Sequence, residues 1–228
     1  MRRRDFLVVS ATSMGGVLVY SLNGQLTRVS SQTKSRDQTL EIPLRFFTQS
    51  EALIVEAAAS RIFPSDESGP GATEAGVVIY IDRQLAGPWG RDRHRYIEPP
   101  FEQDAAAEFG YQGRAAPREI YRTALKDLTG FDRLSPSAQD EKLKEIENTR
   151  FFVLLRLNTI EGMFCDPIHG GNLDMVGWQL IGFPGPQMSW AADVDKHFGE
   201  AFRPPPMSLR QILPGRRFHP SEDEDPAS

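Results

Sequence analysis

The segment that most constrains the fold is the apolar run from Phe151 to Phe164, FFVLLRLNTIEGMF. Placed on a helix, this run is apolar on almost every side, which is typical of a helix surrounded by other elements. It begins near Thr149 and should end near Cys165, because Asp166 precedes a proline and that position disfavours helical backbone. The run therefore predicts a central helix that is buried by its neighbours.

Four further helices are predicted before it, over about 48–64, 74–85, 117–128 and 135–146. The first opens with a capping box at Thr48 and Glu51, and the third and fourth open at prolines. The centre of the second, VVIYI, fits a strand equally well. Glycine (19) and proline (17) are more frequent than usual, which indicates many loops. We predict an all-α protein: one irregular helical domain over residues 40–215 with long Gly/Pro-rich loops.

The N-terminus has the features of an export signal. Arg3, Arg4, Phe6 and Leu7 match the R-R-x-F-L core of twin-arginine (Tat) signals, and the uncharged run 8–22 follows them. We predict a Tat signal and linker over residues 1–36, and hence a periplasmic location or one at the outer face of the cytoplasmic membrane. No clear A-x-A site follows, so the segment could also remain as an anchor.

Composition excludes several classes of protein. The formal net charge of −5 argues against a general nucleic-acid binder. A single cysteine, Cys165, cannot form an internal disulfide or supply a thiolate cluster. The chain has no dinucleotide fingerprint, P-loop or H-E-x-x-H motif, so any cofactor belongs to an exported partner or the chemistry is unfamiliar. Residues 216–228 form an acidic tail that we expect to be disordered.

The most informative stretch runs from Glu161 to Gly185, where Asp166, His169, Asn172 and Asp174 lie within nine residues. One interpretation is a catalytic base, His169, oriented by a carboxylate. A second is a metal site formed by Asp166, His169 and Asp174, with Cys165 as a further donor. The third is structural: Asp166 and Asn172 cap backbone groups of a tight turn and His169 is a hydrogen-bonded pivot. A short helix over 173–181 should follow, with Met175, Trp178 and Ile181 packed inward.

Residues 164–185 read F-C-D-P-x-H-G-G-N-x-D-x-x-G-W-x-x-I-G-F-P-G. This pattern resembles the signature of the gluconate 2-dehydrogenase subunit 3 family. The resemblance extends to Ile62-Phe63-Pro64, to 75–77 and to 81–85, and thus covers roughly residues 45–190. The signature positions are Cys165, Asp166, His169, Gly170, Gly171, Asn172, Asp174, Trp178 and Phe183.

The resemblance implies a small, non-catalytic subunit. It implies a large flavoprotein partner that holds FAD and oxidises a sugar or polyol, often with a multihaem cytochrome c subunit. The small subunit would carry the Tat signal, engage the Tat translocase and escort the large subunit during export. No catalytic, cofactor-binding or metal-binding residue of this chain is implied, and the signature positions are expected to serve structure or interface.

Two irregular segments also favour a partner. Residues 89–111 and 183–190 are rich in Trp, Tyr, Phe, Met and Arg, the residue types enriched at interface cores. The proline-rich stretch 203–207 could run extended across a partner. The alternative function is a stand-alone exported enzyme, with or without a metal, that uses Asp166, His169 and Asp174.

Overall fold

The computed structural model describes residues 17–20, 26–29 and 43–215, except 94, 96–98, 101, 103, 104 and 188. The chain divides into two compact units, Met1–Glu41 and Ile42–Ser228. In the first, strands β1 (Val17–Tyr20) and β2 (Leu26–Val29) pair antiparallel, with Val17 opposite Val29 and Tyr20 opposite Leu26.

The second unit is helical, which confirms the all-α prediction for the body of the protein. Its helices are α1 (Gln49–Ile62), α2 (Val77–Ala86), α3 (Pro117–Asp127), α4 (Pro136–Glu145), α5 (Arg150–Phe164), α6 (Val176–Ile181), α7 (Ala191–Lys196) and α8 (Leu209–Ile212). Within the described part of 43–215, extended pairing is limited to one bridge between Asp66 and Gly69. The VVIYI segment, open to two interpretations in the sequence, is therefore helix.

Local chemistry explains where these helices begin. Thr48 and Glu51 form the predicted capping box, since the Glu51 N–H donates to Thr48 Oγ1 (3.3 Å) and the Thr48 N–H donates to Glu51 Oε2 (2.8 Å). At α4 and α5, the hydroxyl groups of Ser135 and Thr149 accept a backbone N–H of the first turn and so cap the helix. A proline occupies the first turn of α3, where its missing N–H costs nothing.

Helix α5 lies at the centre of the body, with α1, α2, α3 and α6 packed around it. Leu155 and Met163 on α5 are fully buried. Tyr121 of α3 meets Phe151 of α5 edge to face, with ring centroids 5.1 Å apart. Gly162 permits a close approach of α2, because a Cβ there would come within 3.2–3.3 Å of Tyr80 and Val77.

Two boundaries differ from the sequence prediction. Helix α2 begins at Val77 instead of Glu74, because a turn over 72–76 ends at Gly76 in left-handed backbone. The predicted helix over 173–181 is a 3-10 turn (Leu173–Met175) followed by α6, since Asp174 and Met175 both have positive φ. The inward packing predicted for Ile181 is wrong, as its side chain is 59% exposed.

A buried carboxylate anchors the segment that precedes α1. Asp82 on α2 is 1% exposed, and its oxygens accept the backbone N–H groups of Arg45 (2.7 Å), Phe46 (3.0 Å) and Phe47 (2.8 Å). Three such donors satisfy a charge that would otherwise be costly to bury. Among the residues described, none of the helices combines the length and apolar character that a membrane crossing requires.

Candidate functional site

The signature turn, which we define as residues 165–177, connects α5 to α6. Asp166 organises its first half. Its Oδ1 accepts the N–H of Ile168 (3.0 Å) and caps a 3-10 turn, Pro167–His169. Its Oδ2 accepts the N–H of Leu209 (2.8 Å), the first residue of α8. Asp166 thus joins the turn to a segment more than forty positions later in the chain.

Asn172 organises the second half and is fully buried. Its Nδ2 donates to the carbonyl of Cys165 (2.9 Å), its Oδ1 accepts the N–H of Gly177 (2.8 Å), and its own N–H donates to the carbonyl of Gly162 (2.8 Å). Its φ of +47° lies in the left-handed region, which asparagine tolerates better than most residues. The amide therefore satisfies both ends of the turn at once.

Glycines allow the turn to lie directly on α5. A Cβ at Gly171 would overlap the carbonyl oxygen of Gly162, and one at Gly177 would overlap that of Met163. Gly170 has a φ of +98°, and a Cβ there would meet the guanidinium group of Arg83. Gly171 and Gly177 are therefore needed where the turn touches the backbone of α5, and Gly170 where it touches Arg83.

Trp178 is part of the same packing and is buried. Its Nε1 donates to the carbonyl of Phe164 (2.7 Å), and Phe183 stacks on its ring edge to face at 5.2 Å. Trp178 faces inward, as predicted, whereas Phe183 remains partly exposed. The structural interpretation of Asp166, Asn172 and Trp178 agrees with these contacts.

The other candidate residues do not assemble into a site. His169 is exposed, and within the described residues its ring has no hydrogen-bonding partner, so the predicted pivot role does not agree with the structure. Asp174 is also exposed, whereas both oxygens of Asp166 are occupied by backbone N–H groups. Over the residues described, no three His, Cys, Asp or Glu side chains are placed to hold a metal ion.

Cys165 caps the C-terminus of α5 and lines a shallow groove of about 480 Å³ with Ile160, Phe164, Tyr80 and His169. Burial raises the pKa of its thiol to about 12. The thiol therefore stays protonated at neutral pH and is a poor nucleophile.

A buried network of polar side chains connects α2, α3 and α5, and the sequence analysis did not predict it. Tyr121 donates to Asn158 Oδ1 (2.9 Å), Asn158 donates to Glu161 Oε2 (3.0 Å), and Tyr80 donates to the same oxygen (3.1 Å). Burial, and then the charge of Glu161, raise the pKa of both tyrosines. The available signal was Asn158 and Glu161, three residues apart within an apolar run.

The segment over 89–113 contains a second cluster. Two guanidinium groups, those of Arg95 and Arg150, contact the Tyr111 ring, and their carbons are 5.3 and 4.7 Å from its centroid. Arg95 also donates to the carbonyl of Gly113 (2.7 Å). These groups line a cavity of about 470 Å³ with Trp89 and Phe109. Binding by this segment stays a prediction, as does binding by the loop 183–190.

Helix α5 is not covered on every side, which corrects the prediction of all-round burial. Val153, Leu157 and Ile160 are 47%, 47% and 39% exposed, and they follow one another at helical spacing. We call these three residues the outer stripe. Ile160 also borders the groove beside Cys165, so the stripe continues into the signature turn.

Two sequence predictions fall outside the described residues. The Tat motif of Arg3, Arg4, Phe6 and Leu7 is one, and the acidic tail 216–228 is the other. The proline-rich stretch is described, and the Met207 N–H donates to the carbonyl of Pro184 (3.1 Å).

Comparison with known proteins gives one match. No curated protein and no solved structure matches the chain. A family model described as gluconate 2-dehydrogenase subunit 3 matches residues 49–185, which is more than half of the sequence and includes α1 to α6 and the whole signature turn. The chain therefore belongs to the gluconate 2-dehydrogenase subunit 3 family.

Proposed function

We propose that this chain is the non-catalytic small subunit of an exported, FAD-dependent dehydrogenase of gluconate, sugars or polyols. Its function is to bind and stabilise the large flavoprotein subunit and to escort it through the Tat pathway to the periplasmic side. FAD belongs to the large subunit, and haem c to a cytochrome subunit where one is present. The family match supports an accessory subunit with a dehydrogenase partner.

The observation that carries the proposal is the outer stripe. Central helices of small domains usually turn apolar side chains inward, because exposed apolar area costs about 25 cal/mol per Å². Here Val153, Leu157 and Ile160 of the central helix face solvent in the isolated chain. A stripe of this kind is typical of a surface that a partner covers.

The second support is how the signature residues are used. Asp166 and Asn172 are occupied in holding backbone, and the thiol of Cys165 is protonated at neutral pH. The same turn forms one wall of the groove into which the outer stripe runs. Signature residues that stabilise the backbone beside an exposed groove are more typical of a binding subunit than of a stand-alone enzyme.

The test is co-purification of the tagged full-length chain from its native host. We expect a large subunit with flavin absorbance to co-purify with the wild-type chain. Leu157→Lys with Ile160→Lys should reduce the captured flavoprotein at least tenfold, because two charges would be buried at the contact. Leu134→Lys is the matched control, since Leu134 has similar exposure (38%) outside the stripe and its change should leave capture intact.

The escort function is tested in the same strain by Arg3→Lys with Arg4→Lys, which should leave both subunits in the cytoplasm. Periplasmic dehydrogenase activity in that strain would contradict the escort function. Full capture by the stripe variant, or oxidation of a sugar by the purified chain alone, would contradict the binding function.

A further inference from the structure

Three arginines lie close together beside the signature turn. Arg83 of α2 and Arg210 of α8 line one cavity of about 320 Å³, together with Ser208 and Gly170. Arg45, in the segment before α1, lies close enough for its charge to act on Arg83. Within the described part of the chain, the Arg83 and Arg210 side chains have neither a hydrogen-bond acceptor nor an ion-pair partner.

The signature turn itself brings these cations together. Asp166 accepts the N–H of Leu209 and so fixes α8, which places Arg210 at the cavity. Gly170 leaves space for Arg83, because a Cβ at that position would overlap the Arg83 Nη1 atom. The convergence of Arg83 and Arg210 therefore depends on two signature residues.

Among the described residues, the charge of the cluster is only partly compensated. Asp82 is the carboxylate that favours the charged form of Arg83, but its oxygens already accept three backbone N–H groups. Burial and then the positive charge of Arg45 lower the pKa of Arg83, and Arg210 adds to this repulsion. The guanidinium groups remain charged at neutral pH, so an anion in the cavity would relieve the repulsion.

We propose that this cavity binds carboxylates of the chain's own acidic segment, Glu222, Asp223, Glu224 and Asp225. The charges are complementary, and a guanidinium group binds a carboxylate through two parallel hydrogen bonds. Ser208 can supply a hydroxyl donor beside them.

The length of chain is sufficient for this contact. Helix α8, which carries Arg210, ends three residues before Gly215. Gly215 is five residues from Arg210 and so lies at most about 18 Å from it along the chain. The seven residues 216–222 can span roughly 23 Å when extended, which exceeds that distance. A tether this short gives an effective concentration in the millimolar range, so a weak contact is populated. The inference is independent of the proposed function.

The first test is proximity in the full-length chain. Arg83→Lys places an amine in the cavity, and a carbodiimide then joins an amine to an adjacent carboxylate with loss of water. Mass spectrometry should find position 83 joined to the segment 222–225 at least fivefold more than position 133 in the matched variant Arg133→Lys, whose parent side chain is exposed outside the cluster. Equal joining at both positions would overturn the proposal.

The second test separates the acidic segment from other anions and does not depend on that variant folding. The full-length chain with its four acids changed to amides should bind the peptide SEDEDPAS, and Arg83→Gln with Arg210→Gln in that background should weaken binding at least fivefold. Arg216→Gln with Arg217→Gln is the control for the two cations beside the segment and should leave binding unchanged. Binding of citrate or inorganic phosphate as tightly as the peptide, or no loss with the cavity variant, would overturn the proposal.

Discussion

The two faces of helix α5 have opposite characters. The inner face carries polar Asn158 and Thr159, which are 2% and 0% exposed, and it receives the signature turn. The outer stripe carries Val153, Leu157 and Ile160 in contact with solvent. Beside its ordinary buried apolar residues, such as Leu155 and Met163, α5 thus has buried polar groups on one face and exposed apolar groups on the other.

Hydrogen bonds explain why the inner face can be both polar and buried. Asn158 is bonded to Tyr121 and Glu161, and the Thr159 hydroxyl donates to the carbonyl of Leu155 (2.7 Å), so the buried polar groups are satisfied. The side chains of the outer stripe, in contrast, are only partly covered by the rest of the chain. The inner face holds the fold, whereas the outer face is the surface that we propose a partner covers, so each face can be altered separately.

The largest expected effect comes from breaking the inner contact between α5 and α6. Gly177→Ala places a Cβ against the carbonyl oxygen of Met163, which is backbone and cannot rotate away. We expect a loss of about 3 kcal/mol or more in the free energy of unfolding, measured by urea denaturation of the isolated chain. Gly87→Ala is the control, because a Cβ there lies 3.4 Å from the nearest backbone oxygen. Similar stability of the two variants would contradict this packing.

A smaller effect is expected when the buried network on the inner face is interrupted. Asn158→Ala leaves the Tyr121 hydroxyl buried without its acceptor, which should lower the free energy of unfolding by about 2 kcal/mol. Adding Tyr121→Phe removes the stranded hydroxyl, so the double variant should lose about 1 kcal/mol less than the sum of the single ones. Strict additivity in the denaturation data would show that the two groups do not interact. These variants leave the outer stripe intact, so the amount of flavoprotein that the folded chain captures should fall less than it does with the stripe variant.

Periodicity and turn chemistry predicted much of this architecture. The capping box at Thr48, the prolines at 117 and 136 and the apolar run of α5 located four helices, because such signals depend on neighbouring residues. One of the three interpretations of the signature stretch made Asp166 and Asn172 turn residues, for the same reason. Their choice of partners could not be predicted, because Leu209 is 43 positions from Asp166.

The two faces of α5 were the part that the sequence could not assign. Hydropathy marks Leu157 and Leu155 alike, yet one is 47% exposed and the other is fully buried. Which side of an apolar helix remains open depends on where α1, α2, α3 and α6 pack, and that is a property of the whole chain. The arginine cavity was hidden for the same reason, since it combines α2, the signature turn and α8.

The smallest effect concerns Cys165, which caps the C-terminus of α5 and lines the same groove as Ile160. Because burial raises the pKa of the Cys165 thiol to about 12, the folded chain keeps the thiol proton while the unfolded chain releases it above about pH 9. The contribution to stability is therefore complete below pH 9 and is lost as pH rises toward 12. Between pH 8 and 10, the wild-type chain should lose about 1 kcal/mol more than Cys165→Ala.

The measurement is urea denaturation at both pH values, and pH 10 is the upper limit because the tyrosines of the buried network begin to contribute above it. Alkylation by iodoacetamide at pH 8 should be slow in the folded chain and fast in urea. A thiol that titrates near pH 9 in the folded state would place Cys165 with the outer stripe, where a partner could reach it. Because Ile160 borders the same groove, that result would extend the contact surface by one residue toward the signature turn.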